Sequence, residues 1–216
     1  DLVDYPLHKY IAESRKPSIV SVGMASLDEI EETLNIYKSY NQLDVILLHC
    51  VSNYPCAYES LNLRVIETLR QTFDLPVGYS DHSIGVKAAV LSIGLGAKII
   101  EKHFTIDKNL PGPDHLASST PDEFKSLASS IRRAEKILGS PIKTIQDEER
   151  QMAEVSRKSI VLNKDLSKGD ILIKEDLVYL RPGNGIYPIF LSKILGKRIK
   201  KDLVKGTQLS WTHITE

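Results

Sequence analysis

The chain runs to 216 residues, 42% hydrophobic and 26% charged, with 28 basic and 28 acidic side chains and no formal net charge. That balance argues against a general nucleic-acid or membrane-surface binder, which carries a basic excess. No apolar run approaches the roughly 18 residues that a membrane span needs, and the totals suit one or two ordinary globular domains.

Residues 5–14 read as a first helix, with Pro6 near its start. A β-rich run, Ser18–Val22, ends at Gly23, and a helix comes next with Ser26 as N-cap and Glu29 completing a capping box; Leu27, Ile30, Leu34 and Tyr37 recur at helical spacing. The run Asp44–Cys50 precedes a helix carrying Val65, Ile66, Leu69 and Phe73. Pro76–Ser80 is the third run; Ser83 is expected to cap the next helix, which has Val86, Ala89, Val90 and Ile93 on one face and Gly94 and Gly96 at its end. Lys98–Phe104 is the fourth, and its helix starts at Thr120-Pro121, with Glu123 in capping-box position and Phe124, Leu127, Ile131, Ala134 and Leu138 as its stripe.

Successive βα units with short connections predict parallel strands and right-handed crossovers. An open doubly wound sheet and a (β/α)8 barrel both fit. No GxGxxG follows any strand, which counts against dinucleotide binding. A barrel needs about eight units and roughly 250 residues, so a barrel here is a second half. Residues 140–156 are polar and read as a linker with some helix. Beyond them, β-branched runs such as Ser159–Leu162 alternate with glycine turns. There Lys164-Asp165-Leu166-Ser167-Lys168-Gly169 echoes in Lys201-Asp202-Leu203-Val204-Lys205-Gly206, which predicts a small pseudo-symmetric β fold. Cys50 and Cys56 match neither a CxxC pair nor a zinc knuckle and read as reduced thiols. With no secretory signal at its start, a cytoplasmic protein is expected, although the chain opens on Asp1 rather than Met.

A parallel barrel carries its chemistry at the C-terminal ends of its strands. His82 and His103 each close a run, and the runs are consecutive. Neighbouring strands lie about 4.8 Å apart, so the two imidazoles can reach one metal ion. Two histidines leave coordination positions open for water and substrate, as a catalytic metal requires. The alternative is two separately hydrogen-bonded histidines in the barrel mouth. His49 reads as a satisfied core or rim residue, while His8 and His213 have no constellation around them. Ser21, Ser52 and Ser80 are hydroxyls near three strand ends, suited to cradling a phosphate or carboxylate. Pro111-Gly112-Pro113-Asp114 is a stiff loop that can hold Asp114 over the mouth, with His115 next to it. Lys98 and Lys102 raise a rival Schiff-base mechanism, but Lys102 has the opposite parity to His103 and points out if the histidine points in.

Several motifs, taken in order, carry a family resemblance. Lys16-Pro17 through Ser21-Val22-Gly23-Met24, Leu48-His49-Cys50 with Tyr54-Pro55, Tyr79-Ser80-Asp81-His82, Glu101-Lys102-His103-Phe104 and Gly112-Pro113-Asp114-His115 together resemble the sialic acid synthase family. Arg181-Pro182-Gly183-Asn184-Gly185 is similar to the signature of that family's C-terminal antifreeze-like (SAF) domain. The resemblance implies an α/β fold. Its parts are the second half of a (β/α)8 TIM barrel over residues 1–139, a linker over 140–156 and a small β-rich SAF domain of the β-clip type over 157–216.

It also implies condensation of phosphoenolpyruvate with N-acetylmannosamine, or a related N-acetylated amino sugar, to give N-acetylneuraminate and phosphate. The implied cofactor is a divalent metal, Mn2+ or Mg2+, held by His82 and His103. Ser21 and Ser80 match residues lining the phosphoenolpyruvate site; Ser52 stands where some members have Asn, and adjacent Asn53 can substitute. Tyr54 and Asp114 match residues that hold the amino sugar. Asp1 stands where the family has an acidic residue at the end of the fourth barrel strand, with proton relay as its role. Arg181 matches a residue reaching the sugar's N-acetyl group from the SAF domain of a second subunit, which implies a domain-swapped homodimer. The first half of the barrel supplies a catalytic carboxylate and phosphate-neutralising lysines in the family, so these residues alone are expected to lack activity. Legionaminic or pseudaminic acid synthases share the architecture, and a non-catalytic sugar-binding relative is the reading from another class.

Overall fold

The alternation of short β-branched runs with amphipathic stripes folds as the periodicity predicts. The structure, a computed structural model, describes residues 1–215 and divides into two units, Asp1–Ser140 and Pro141–Glu216. Among the described residues no helix is long and apolar enough to cross a membrane.

In the first unit, helix α1 (Tyr5–Glu13) leads into strand β1 (Ser18–Ser21), α2 (Leu27–Ser39) and β2 (Val45–Cys50). Then come α3 (Val65–Phe73), β3 (Val77–Asp81), α4 (Lys87–Gly94), β4 (Ile100–Lys102) and α5 (Pro121–Leu138). The strands form one parallel sheet in the order β1-β2-β3-β4. Sequence order equals spatial order, so the sheet winds in one direction, as half of a barrel does; this is the barrel alternative, not the doubly wound one. All five residues of β3 are buried, whereas β1 and β4 pair on one side only and are partly exposed.

Both capping boxes form. The Ser26 amide donates to Glu29 Oε2 at 2.7 Å and the Glu29 amide to Ser26 Oγ at 3.3 Å. At α5 the Thr120 amide donates to Glu123 Oε2 at 2.9 Å, and Pro121 fills the first turn. Tyr37, Leu47, Ile66, Leu69 and Tyr79 anchor the core between sheet and helices. Gly78 lets β4 approach: a Cβ there would lie 2.5 Å from the Ile99 carbonyl oxygen.

The second unit begins with α6 (Asp147–Ser156), so much of the stretch expected to be linker is helical. It is tied to the rest of its unit, where the Gly183 amide donates to the Glu154 carbonyl at 2.6 Å. Strands β5 (Ser159–Leu162) and β6 (Leu177–Leu180) pair antiparallel, and a short helix α7 (Leu191–Ile194) comes after them. The echoed hexapeptides lie against each other. Leu166 and Leu203 exchange both backbone hydrogen bonds at 2.8 Å. Asp165 Oδ1 accepts from the Lys205 amide and Asp202 Oδ1 from the Lys168 amide, each at 2.7 Å. The repeat is therefore a local pseudo-twofold around a core of Ile160, Leu162, Leu172, Ile194 and Leu209.

Candidate active site at the ends of β3 and β4

Side chains alternate along a strand, so Ser80 and His82 share one face of the sheet, and the β3–β4 register sets Ser80 opposite Glu101 on that face. The buried Ser80 hydroxyl donates to Glu101 Oε1 at 2.7 Å and lies 3.3 Å from Nε2 of His82. Nδ1 of His82 is 2.8 Å from the Val51 carbonyl. A carbonyl only accepts, so the neutral ring carries its proton on Nδ1 and its lone pair on Nε2. Ser80 has one hydroxyl proton, spent on Glu101, which leaves that lone pair available. The His103 ring stands 5.4 Å from the His82 ring, centroid to centroid, at an interplanar angle of 83°. Tyr54 closes the group, its ring 4.0 Å from His82 and 5.0 Å from His103. Its loop is pinned where the Cys56 amide donates to the His82 carbonyl at 2.9 Å. Burial pushes the Tyr54 phenol up, and the charges of Asp114 and Glu101 add to that shift.

Asp81 and Lys102 occupy the opposite face. Lys102 Nζ donates to Asp81 Oδ2 at 2.9 Å and to the Ser83 carbonyl at 2.6 Å, with side-chain exposures of 2% and 0% for the lysine and aspartate. The parity reading of Lys102 holds, and the ion pair removes it as a Schiff-base candidate. Ser83 does not cap α4, contrary to expectation. Its amide and hydroxyl both donate to Asp81 Oδ1, at 2.9 and 2.7 Å, and α4 starts only after Val86 with no side-chain cap. The buried carboxylate outcompetes the helix end for this hydroxyl.

The remaining residues singled out from sequence are spread more widely. Ser52 is exposed on the loop after β2; a Cβ on Gly23 would come within 2.4 Å of its Oγ, so the turn after β1 packs directly on it. Asp114 is exposed, its carbonyl accepting from Ser118 Oγ at 2.7 Å. Ser21 ends β1, at the sheet edge opposite β4, and shares a concavity there with Asp1, His8 and Tyr37. Thus His82, His103, Tyr54 and Ser80 come together, whereas Ser21, with Asp1 beside it, is separated by one strand from β3 and by two from β4. Arg181 is exposed in the second unit, directly after β6. His49 is a satisfied core residue as expected. Its Nε2 lies 2.7 Å from the Leu61 carbonyl, its ring stacks on Tyr79, and burial pushes its pKa down. His115 Nδ1 lies 2.8 Å from Thr105 Oγ1. Glu101 received no role from sequence, although strand alternation, applied two residues back from His103, identifies it.

Among the described residues no group of three or more His, Cys, Asp and Glu side chains is arranged to hold a metal. The pair does fit an open site. His82 presents an unprotonated nitrogen, its tautomer is set by a backbone carbonyl in the manner of metal-bound histidines, and a second imidazole stands at 5.4 Å. Two protein ligands leave the remaining positions to water or substrate oxygens.

Residues 1–143 match the NeuB family and residues 157–215 the SAF domain. An N,N'-diacetyllegionaminic acid synthase of Legionella pneumophila is 47% identical over 99% of this chain and 61% of its own length. A pseudaminic acid synthase of Campylobacter jejuni is 39% identical over 93% of this chain and 58% of its own. The crystal structure of the N-acetylneuraminic acid (sialic acid) synthetase from Leptospira borgpetersenii superposes with a TM-score of 0.67 at 40% identity, covering 71% of this chain and 54% of that one. The chain thus spans about three fifths of the length of its curated relatives. With its half-barrel, its motifs and these matches, the chain belongs to the NeuB family, the sialic acid synthase family its motifs resemble, and carries a SAF domain after the barrel half.

Proposed function

We propose that the protein is the C-terminal part of a synthase joining phosphoenolpyruvate to an N-acetylated amino sugar. The observation that carries this reading is the His82–His103 pair at 5.4 Å with Tyr54 against both rings. C3 of the enolpyruvate forms a bond to the aldehyde carbon of the open-chain sugar, water adds at C2, and inorganic phosphate leaves. A divalent cation, Mn2+ or Mg2+, held by His82 and His103, supplies Lewis-acid polarisation of the aldehyde oxygen when bound. Ser80, with Ser21 and Ser52, binds phosphoenolpyruvate, for which its hydroxyl turns from Glu101 to the substrate; without substrate it donates to Glu101 and not to His82. Tyr54 and Asp114 orient the sugar, and Asp1 relays a proton. The working form is a cytoplasmic homodimer in which Arg181 of one copy reaches the N-acetyl group bound by the other, with the first half of the barrel completing each site. Residues 1–216 on their own are inactive in this reading.

The acceptor is N-acetylmannosamine or a diacetylated relative of it, and the 47% identity to the Legionella synthase supports the diacetylated class equally well. Phosphate release by the full-length protein, assayed over a panel of N-acetylated sugars, tests the reading. Release that stops in chelator, returns with Mn2+ and is lost for every sugar in His82→Ala is the expected result. Full turnover in excess chelator overturns it.

A further inference from the structure

Asp81 directly precedes His82, and Lys102 directly precedes His103. The two are register partners across β3 and β4, so any contact that fixes their separation also fixes the separation of the two histidines. Both side chains are buried on the face away from the imidazoles, and their polar contacts are extensive. Asp81 Oδ2 accepts from Lys102 Nζ at 2.9 Å. Asp81 Oδ1 accepts from the Ser83 amide, the Ser83 hydroxyl and the Tyr79 hydroxyl, at 2.9, 2.7 and 3.2 Å. Lys102 Nζ also donates to the Ser83 carbonyl at 2.6 Å, so the lysine grips the chain on both sides of His82, at Asp81 and at Ser83.

A buried ion pair is a poor source of net stability, because desolvation cancels much of its attraction; its better-attested use is to enforce one geometry. Here β4 is three residues long and its ladder runs to β3 alone; beyond it the His103 carbonyl accepts from the Ser119 amide at 2.8 Å, which ties His103 to the segment before α5 and not to β3. From this we infer that Asp81 and Lys102 are positioning residues: their ion pair, on the hidden face of the sheet, sets the spacing of His82 and His103 and so the affinity of the metal site. The metal half of this inference rests on the function proposed above; the spacing half does not.

The test uses the full-length protein and its Lys102→Met variant. A second variant, Lys102→Met/Asp81→Asn, leaves no buried charge unpaired and keeps an acceptor for Ser83, and it replaces the first if that fails to fold. Two quantities are read: Mn2+ affinity from the electron spin resonance signal of free Mn2+, and the contact between the two histidine rings from ring-to-ring NMR cross-peaks in metal-free protein. The expected result is a folded variant with Mn2+ affinity weakened about 10- to 100-fold, as for other groups that orient metal ligands, and with the ring-to-ring cross-peaks weakened or lost. Unchanged cross-peaks in a folded variant overturn the inference whatever the metal does. If the unsubstituted protein takes no Mn2+, the metal reading falls and the cross-peaks still decide the spacing claim.

Discussion

The Ser80 hydroxyl donates to Glu101 at 2.7 Å while standing 3.3 Å from Nε2 of His82. Glu101 thereby accepts the one hydrogen bond that Ser80 could otherwise donate to the lone pair of that nitrogen. In Glu101→Ala the hydroxyl is free to turn and donate to His82, in competition with a metal ion. Mn2+ affinity should fall about 10-fold or more, and Ser80→Ala/Glu101→Ala should recover part of it. A spin-resonance titration of the two variants checks both outcomes.

Tyr54 stands against both imidazoles, its ring 4.0 Å from that of His82. Tyr54→Phe keeps the aromatic wall and should leave Mn2+ binding intact while raising KM for the sugar, because the hydroxyl is proposed to contact it. Tyr54→Ala removes ring contacts worth about 1 kcal/mol and should weaken both. Parallel metal titration and steady-state kinetics separate the two effects.

Burial pushes the pKa of His49 below its ordinary value, and His8 shifts in the same direction for the same reason. The unfolded chain therefore takes up protons first as the pH falls. Stability is full above about pH 6.5 and drops as the pH moves down from there toward the depressed folded values. Each histidine contributes a slope of up to about 1.4 kcal/mol per pH unit. His49→Gln keeps a donor for the Leu61 carbonyl and removes one titrating group. Its melting temperature should fall less steeply between about pH 6.5 and 5 than that of the unsubstituted protein.

In the second unit, Asp165 and Asp202 make equivalent bonds, each accepting from a backbone amide of the other repeat at 2.7 Å. Asp165→Ala and Asp202→Ala should each destabilise the unit by about 1–2 kcal/mol, by similar amounts, if the pseudo-twofold is energetic as well as geometric. Urea denaturation followed through Trp211, which lies in this unit, measures both.

Elements specified by neighbours in the chain were legible without the structure. The capping boxes at Ser26 and Thr120, the stripes of α2 and α3 and the alternation of strand with helix all depend on residues a few positions apart, whereas α4 buries Ala88, Ala89 and Ser92, of which only Ala89 lies on the expected face, and α5 buries only Leu127 of its stripe. His49 was also readable, because a histidine following the apolar run Val45–Leu48 meets the core. Where the sequence misled, a distant group had intervened: Ser83 has the right identity and place for a helix cap, but the Asp81 carboxylate, buried and paired with Lys102, takes its hydrogen bonds instead.

By itself the sequence determined the succession of parallel βα units, the repeat of the second unit and the placement of His82 and His103 on consecutive strand ends, because periodicity and capping are local, whereas the choice of half-barrel over doubly wound sheet waited for the spatial order of the strands. Only the tertiary structure decided that the centroids of the two rings stand 5.4 Å apart, that Glu101 rather than His82 accepts the Ser80 hydrogen bond, and that Lys102 is locked to Asp81. Those relations depend on the register of β3 against β4, which long-range packing sets and no short stretch of chain encodes.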